Sequence, residues 1–134
     1  IHLGDCWADA EQLHRKFPMT VMEQVPGNCD CRQEVQERIL LIEGKKILIC
    51  HGHTFNVKAG YLNLEYAAEE RKVDAALFGH THRVFYDKHN RITYMNPGSI
   101  GQPPYGIPPS YGVLQVDGSS NTIATDVIYL EENN

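Results

Sequence analysis

The 134-residue chain lacks an excess of positive charge: 12 Lys and Arg stand against 17 Asp and Glu, a net charge of −5. This balance argues against coating nucleic acid or binding an anionic membrane surface. It leaves phosphate-containing substrates open, because bound cations can supply a local positive field. No apolar run approaches the ~18 residues of a membrane span, and no secretory hydrophobic segment is present. The four cysteines (Cys6, Cys29, Cys31 and Cys50) include no Cys-x-x-Cys pair. The thiols are therefore read as reduced and the compartment as cytoplasmic. Internal repeats and low-complexity segments are absent.

What is present suits one globular domain spanning residues 1–134, long enough to bury a core. Residues Ala8 to Lys16 predict a short helix with Leu13 on its inner face. Thr20 to Val25 reads as a strand. Val35 to Ile42 and Lys45 to Cys50 read as a hairpin around Glu43-Gly44-Lys45. Between Val57 and Lys72, Tyr61, Leu64, Ala67 and Ala68 recur at helical spacing. Asp74 to Phe78 predicts a buried strand. Val84 to Tyr86 and Ile92 to Met95 flank a turn at Asp87-Lys88-His89-Asn90, and Asn96-Pro97-Gly98-Ser99 is a turn by composition. Gln102 to Pro109 reads as loop. Tyr111 to Val116 and Thr122 to Tyr129 read as an antiparallel pair, and Glu131 to Asn134 as a polar tail. Strand and helix alternate early and strands dominate late, which predicts an α/β sandwich.

Chemistry-bearing residues gather at the ends of the apolar runs. Ile47-Leu48-Ile49-Cys50 leads into His51-Gly52-His53, and Ala75-Ala76-Leu77-Phe78 leads into Gly79-His80-Thr81-His82. In an extended segment, positions i and i+2 face the same way. Each pair is thus expected to aim two imidazoles into a cleft at the carboxyl end of a strand. Ile1-His2-Leu3-Gly4-Asp5 ends in a carboxylate, and Val25-Pro26-Gly27-Asn28-Cys29-Asp30 in an amide and a carboxylate. Asp, Asn and His at four strand ends form the donor set of a two-metal hydrolase.

Plainer roles stand beside these. Asp5 can cap the following helix, Asn28 and Asp30 can form a turn after Pro26-Gly27, and the histidine pairs can cap strands. For Asp30 the turn is the preferred role. Cys6, Cys31 and Cys50 are read as small buried hydrophobes, and His89 as a solvated turn residue. Tyr105 and Tyr111 suit either a rim or loop packing.

In their order and spacing, Gly4-Asp5, Gly27-Asn28-Cys29-Asp30, His51-Gly52-His53, Gly79-His80-Thr81-His82 and Asn96-Pro97-Gly98-Ser99 make the chain resemble the calcineurin-like metallophosphoesterases. It is most similar to their YfcE-type phosphodiesterase branch. The resemblance implies a four-layer αββα sandwich and hydrolysis of phosphodiester bonds through a metal-bound hydroxide at a dinuclear site. The implied cofactors are two divalent metal ions, Mn²⁺ first, with Zn²⁺, Fe²⁺, Co²⁺ or Ni²⁺ possible. Asp5 would bridge both metals. Asn28, His51 and His80 would complete the second site, and His82 would belong to the first. With Asp5, His53 is the expected catalytic residue, either facing the substrate or standing behind the metal ligands.

The family opens with an Asp-x-His strand end that donates to the first metal. No such motif stands ahead of Asp5 here, so the fold is expected to be N-terminally incomplete and the first site impaired. Many family members carry His where this chain has Cys29; the YfcE-like branch carries Cys. Expected partners are a small phosphodiester substrate and a homo-oligomeric copy. The alternative is a catalytically silent scaffold on the same fold, resembling the retromer scaffold subunit. That branch resembles Gly-Asp-Phe-Asp where this chain has Gly27-Asn28-Cys29-Asp30, which favours the enzyme.

Overall fold

A computed structural model describes residues 1–131. Its elements run α1 (Trp7–Lys16), β1 (Glu37–Ile42), β2 (Lys45–Cys50), a 3-10 turn (His53–Phe55), α2 (Leu62–Glu70), β3 (Ala75–Leu77), β4 (Val84–His89), β5 (Ile92–Pro97), β6 (Ser110–Asp117) and β7 (Thr122–Tyr129). Five strands form one sheet in the order β1-β2-β3-β5-β4, and β6 and β7 form a second. Strand β3 runs parallel to both its neighbours, with Ile49 opposite Leu77 and Leu77 opposite Met95. The two sheet edges are made by antiparallel hairpins.

Residues alternate across the main sheet, and each face has its own cover. On one face Leu48, Cys50, Ala76, Phe78, Ile92 and Tyr94 pack with Leu64 and Ala68 of α2. On the other, Ile47, Ile49, Ala75, Leu77 and Met95 meet Val25 and the half-buried Leu114, Ile123 and Val127 of the second sheet. Helix, sheet and sheet thus stack as an α/β sandwich. The central strands are buried on both sides, which is why their sequences are continuous apolar runs. Helix α1 contributes only Ala10 to the buried set, and Leu13, expected on its inner face, is 49% exposed. No helix among the described residues is long and apolar enough to cross a membrane.

Several element bounds differ from the expectation for local reasons. The two amino-terminal strands reduce to a single bridge, His2 to Gln24, because the chain leaves extended geometry at Gly4 (φ 98°) and Asp5 (φ 60°). The helix expected from Val57 begins only at Leu62, since Asn56 and Gly60 sit at positive φ. It ends at left-handed Lys72, where Val73 N donates to Ala68 O at 3.2 Å. The turn expected at Asp87 to Asn90 is tighter. Strand β4 continues through His89, and Asn90 and Arg91 turn the chain with both φ positive. His89 is accordingly a strand residue stacked 4.8 Å from Tyr94 and bonded to Asp87. Of the polar tail, residues 132–134 lie outside the described residues.

The two leucines give opposite expectations. Leu64→Ala removes a fully buried side chain and should cost about 3 kcal/mol, whereas Leu13→Ala should stay within about 0.5 kcal/mol. Urea unfolding midpoints of the two variants decide; equal losses would contradict this packing.

Candidate metal centre

The site begins where the three parallel strands end. Beyond Cys50 the chain turns at Gly52 (φ 109°) into the 3-10 turn that His53 opens. Beyond Leu77 it reaches Gly79, whose N donates to His51 O at 2.9 Å. Buried Asn96 on β5 donates through Nδ2 to Gly79 O and to Thr81 Oγ1, both at 2.9 Å, and accepts from Gly98 N. That amide holds the histidine turn against the sheet. His80 (φ 67°) and His82 (φ 58°) are both left-handed. The pairs are therefore turns and not extended segments, which removes the reason for i and i+2 to face one way.

His51 is the hub. Its Nδ1 lies 2.7 Å from Leu3 O, and a carbonyl can only accept, so Nδ1 carries the proton. Burial depresses the pKa of His51, so the ring is neutral and Nε2 carries a bare lone pair. Around that lone pair stand Asn28 Oδ1 at 3.1 Å, His80 Nδ1 at 3.1 Å and Asp5 Oδ2 at 3.4 Å. Its oxygen neighbours bring lone pairs of their own, and such a convergence needs positive charge to be comfortable. The donor chemistry fits a divalent cation of intermediate hardness. The group is nevertheless open: among the described residues, no three His, Cys, Asp or Glu side chains enclose a metal position.

Asp5 is placed from both sides. Cys29 N donates to its Oδ1 at 3.0 Å. A Cβ on Gly27 would fall onto the same carboxylate, and one on Gly4 would come within 2.6 Å of His51 Nδ1. Only glycine permits these approaches. Asp5 does not cap α1; the helix start is Cys6, with no side-chain cap. Asp30 serves there, its Oδ1 accepting from Trp7 N at 2.9 Å and its Oδ2 from Gly27 N at 2.7 Å. Asp30 thus acts in the turn and also ties two loops together.

The structure brings Asp5, Asn28, His51 and His80 together, with the His53 ring 5.4 Å from His51 and 6.0 Å from His80. His53 Nδ1 is buried without a partner among the described residues. His82 is half-buried in the same turn and makes no hydrogen bond to the others among the described residues. Burial, Lys58 and the neighbouring imidazoles push His80 down to about 4. The Asp5 carboxylate pushes the Cys29 thiol up, which keeps it protonated. Cys6 and Cys31 are exposed, contrary to their reading as core residues, because both lie in loops flanking the site; Cys50 is buried as expected. Sequence reasoning missed the Leu3 carbonyl, which has no side-chain signature, and Lys58, which lies outside every motif.

These histidines make the folded protein acid-sensitive. His2, His51 and His80 all have depressed folded values, so below about 6.5 the unfolded chain binds more protons than the folded one. Stability should therefore fall as pH drops from 7 toward 4. Urea midpoints of metal-free protein should show this slope, and His80→Gln should flatten it; an unaltered slope would contradict the assignment.

A model of the calcineurin-like phosphoesterase superfamily domain matches residues 1–119. The chain is 35% identical to a probable metallophosphoesterase, YsnB, of Bacillus subtilis (strain 168), over 92% of this chain and 71% of that protein. It is 30% identical to phosphodiesterase YfcE of Escherichia coli (strain K12), over 85% of this chain and 50% of that protein. The chain thus spans only half the length of YfcE. Among solved structures, a conserved uncharacterized protein of Streptococcus pneumoniae TIGR4, a predicted phosphoesterase, superposes with TM-score 0.78 at 23% identity, covering 96% of this chain and 87% of that one. A double mutant of Vps29 from Entamoeba histolytica gives 0.73 at 20% identity, covering 96% and 80%. With the residues that hold His51, His80 and Asp5 lying inside the matched span, the chain belongs to the calcineurin-like phosphoesterase superfamily.

Proposed function

We propose that the chain is a metal-dependent phosphodiesterase acting on small phosphodiesters at a dinuclear site, with Asp5 shared between the metals. Asn28, His51 and His80 are assigned to one metal, and Asp5 and His82 are the residues here assigned to the other. The observation that carries this reading is the gathering of lone pairs about His51 Nε2. Divalent cations, Mn²⁺ first, supply the charge that neutralises phosphate oxygens and lowers the pKa of water.

The chain's own residues do the positioning. Leu3 O fixes the His51 tautomer, so that Nε2 faces the site. Cys29 N orients Asp5. Asn96 braces the Gly79 turn that presents His80. Neutral imidazoles leave the cation charge uncancelled. Protonation of the leaving oxygen is assigned to His53 or to water. The free thiols fit a reducing, cytoplasmic setting. The edge strands β1 and β4 offer a place for a second copy of the chain.

A second reading, a scaffold without catalysis, has one specific support: no three His, Cys, Asp or Glu side chains enclose a metal position among the described residues. The likeness to Vps29 fits it at the level of fold.

Mn²⁺-stimulated hydrolysis of bis-nitrophenyl phosphate tests the proposal. Turnover is expected, and Asp5→Asn should lower it by at least about a hundredfold. Bound Mn²⁺ without turnover would move the conclusion to the scaffold. With one imidazole or water as the acid, diesters with nitrophenyl leaving groups should outpace alkyl diesters; equal rates would overturn that expectation.

A further inference from the structure

A cavity of ≈ 240 Å³ lies beside the start of α1, lined by Trp7, Gln24, Glu34, Val35 and Arg38. We propose that it is a subsite for a planar nitrogen heterocycle, of the nucleobase class, carried on one ester arm of the phosphodiester. Recognition of the whole diester rests on the phosphodiesterase reading; recognition of the ring stands on the cavity alone.

Size comes first. The cavity is smaller than the ~300–1,000 Å³ of sites that enclose a drug-sized ligand, and so suits one ring system. Its chemistry is that of a ring with polar edges. Trp7 offers aromatic surface and Val35 an apolar wall. Arg32, which does not line the cavity, lies 4.9 Å over the Trp7 ring and fixes the indole. Arg38 is anchored by Glu23, and Glu34 lies 3.9 Å from Arg32. The rim therefore carries a donor in Arg38 and an acceptor in Glu34. Gln24 also lines the cavity, and its amide oxygen lies buried behind that lining without a hydrogen-bond partner among the described residues. An alkyl arm would use only the apolar wall, and a free phosphate would face Glu34. A base uses the stacking surface and both kinds of edge.

Position links this cavity to the metal centre. Trp7 N is bonded to Asp30 Oδ1, and the other oxygen of Asp30 accepts from Gly27 N, next to Asn28. Trp7 also stands two residues beyond Asp5. These bonds join Trp7 of the cavity to the loop that carries Asn28.

Trp7 is the single tryptophan of the chain, so its fluorescence reports on this cavity without any need for turnover. Adenosine and cytidine, which carry no phosphate, are titrated with excitation at the red edge, where nucleosides do not absorb. Saturable quenching is expected with at least one of them, and none with ribose 5-phosphate. Gln24→Leu and, independently, the surface change Arg38→Met should each weaken binding about tenfold. Asp5→Asn should leave nucleoside binding unchanged, so that loss of the metal centre and loss of the subsite are read separately. Absence of saturable quenching by both nucleosides up to ~10 mM overturns the proposal. So does binding that Gln24→Leu and Arg38→Met both leave intact. Quenching without Mn²⁺-dependent turnover would keep the subsite and remove the phosphodiesterase.

Discussion

The 2.7 Å hydrogen bond from His51 Nδ1 to the Leu3 carbonyl is the contact on which the site depends. It fixes a proton on one side of the imidazole and thereby a lone pair on the other. Because Leu3 is two residues from Asp5, the same contact draws the carboxylate toward His51. Because Gly79 N donates to His51 O, it also draws in the turn that carries His80. With its proton on Nε2 instead, the Leu3 carbonyl would face a lone pair, and a hydrogen bonded to the Asn28 and Asp5 oxygens would occupy the direction in which Nε2 could hold a cation.

The sheet supplies the rest of the precision. Parallel strands in register end side by side, so β2, β3 and β5 deliver His51, Gly79 and Asn96 to one level. Packing on both faces leaves little freedom to slide, since a one-residue slip would exchange the helix-facing and sheet-facing side chains. The loops beyond are irregular, but each is tied by named bonds: Asp30 to Trp7 and Gly27, Asn96 to Gly79 and Thr81.

Much of this was legible in the sequence. The apolar runs before His51 and Gly79 revealed the central strands because burial on both faces leaves no polar alternation. Hairpins were legible through Gly44 and through the polar residues after Asp87. The residues that gather around His51 could be named because Asp, Asn and His stood at the ends of those runs. What escaped was geometry set by backbone. The left-handed turns at His80 and His82, the late start of α2 after Gly60, and the collapse of the first two strands into one bridge depend on φ choices. Leu13 misled because helical spacing marks a face without saying whether anything covers it. Carbonyl partners such as Leu3 O leave no trace in residue type.

The three hairpins each join neighbours in sequence, whereas the bond between Leu3 and His51 spans 48 residues and that between Asp5 and Cys29 spans 24. Closing such loops costs chain entropy that must be met before the contacts give anything back. Local hairpins therefore have the kinetic advantage, and the cluster around His51 belongs to the late, non-local stage of folding. During synthesis and folding, its histidines and carboxylates stay dispersed along the chain, and they can act as one group only after the sheet has closed.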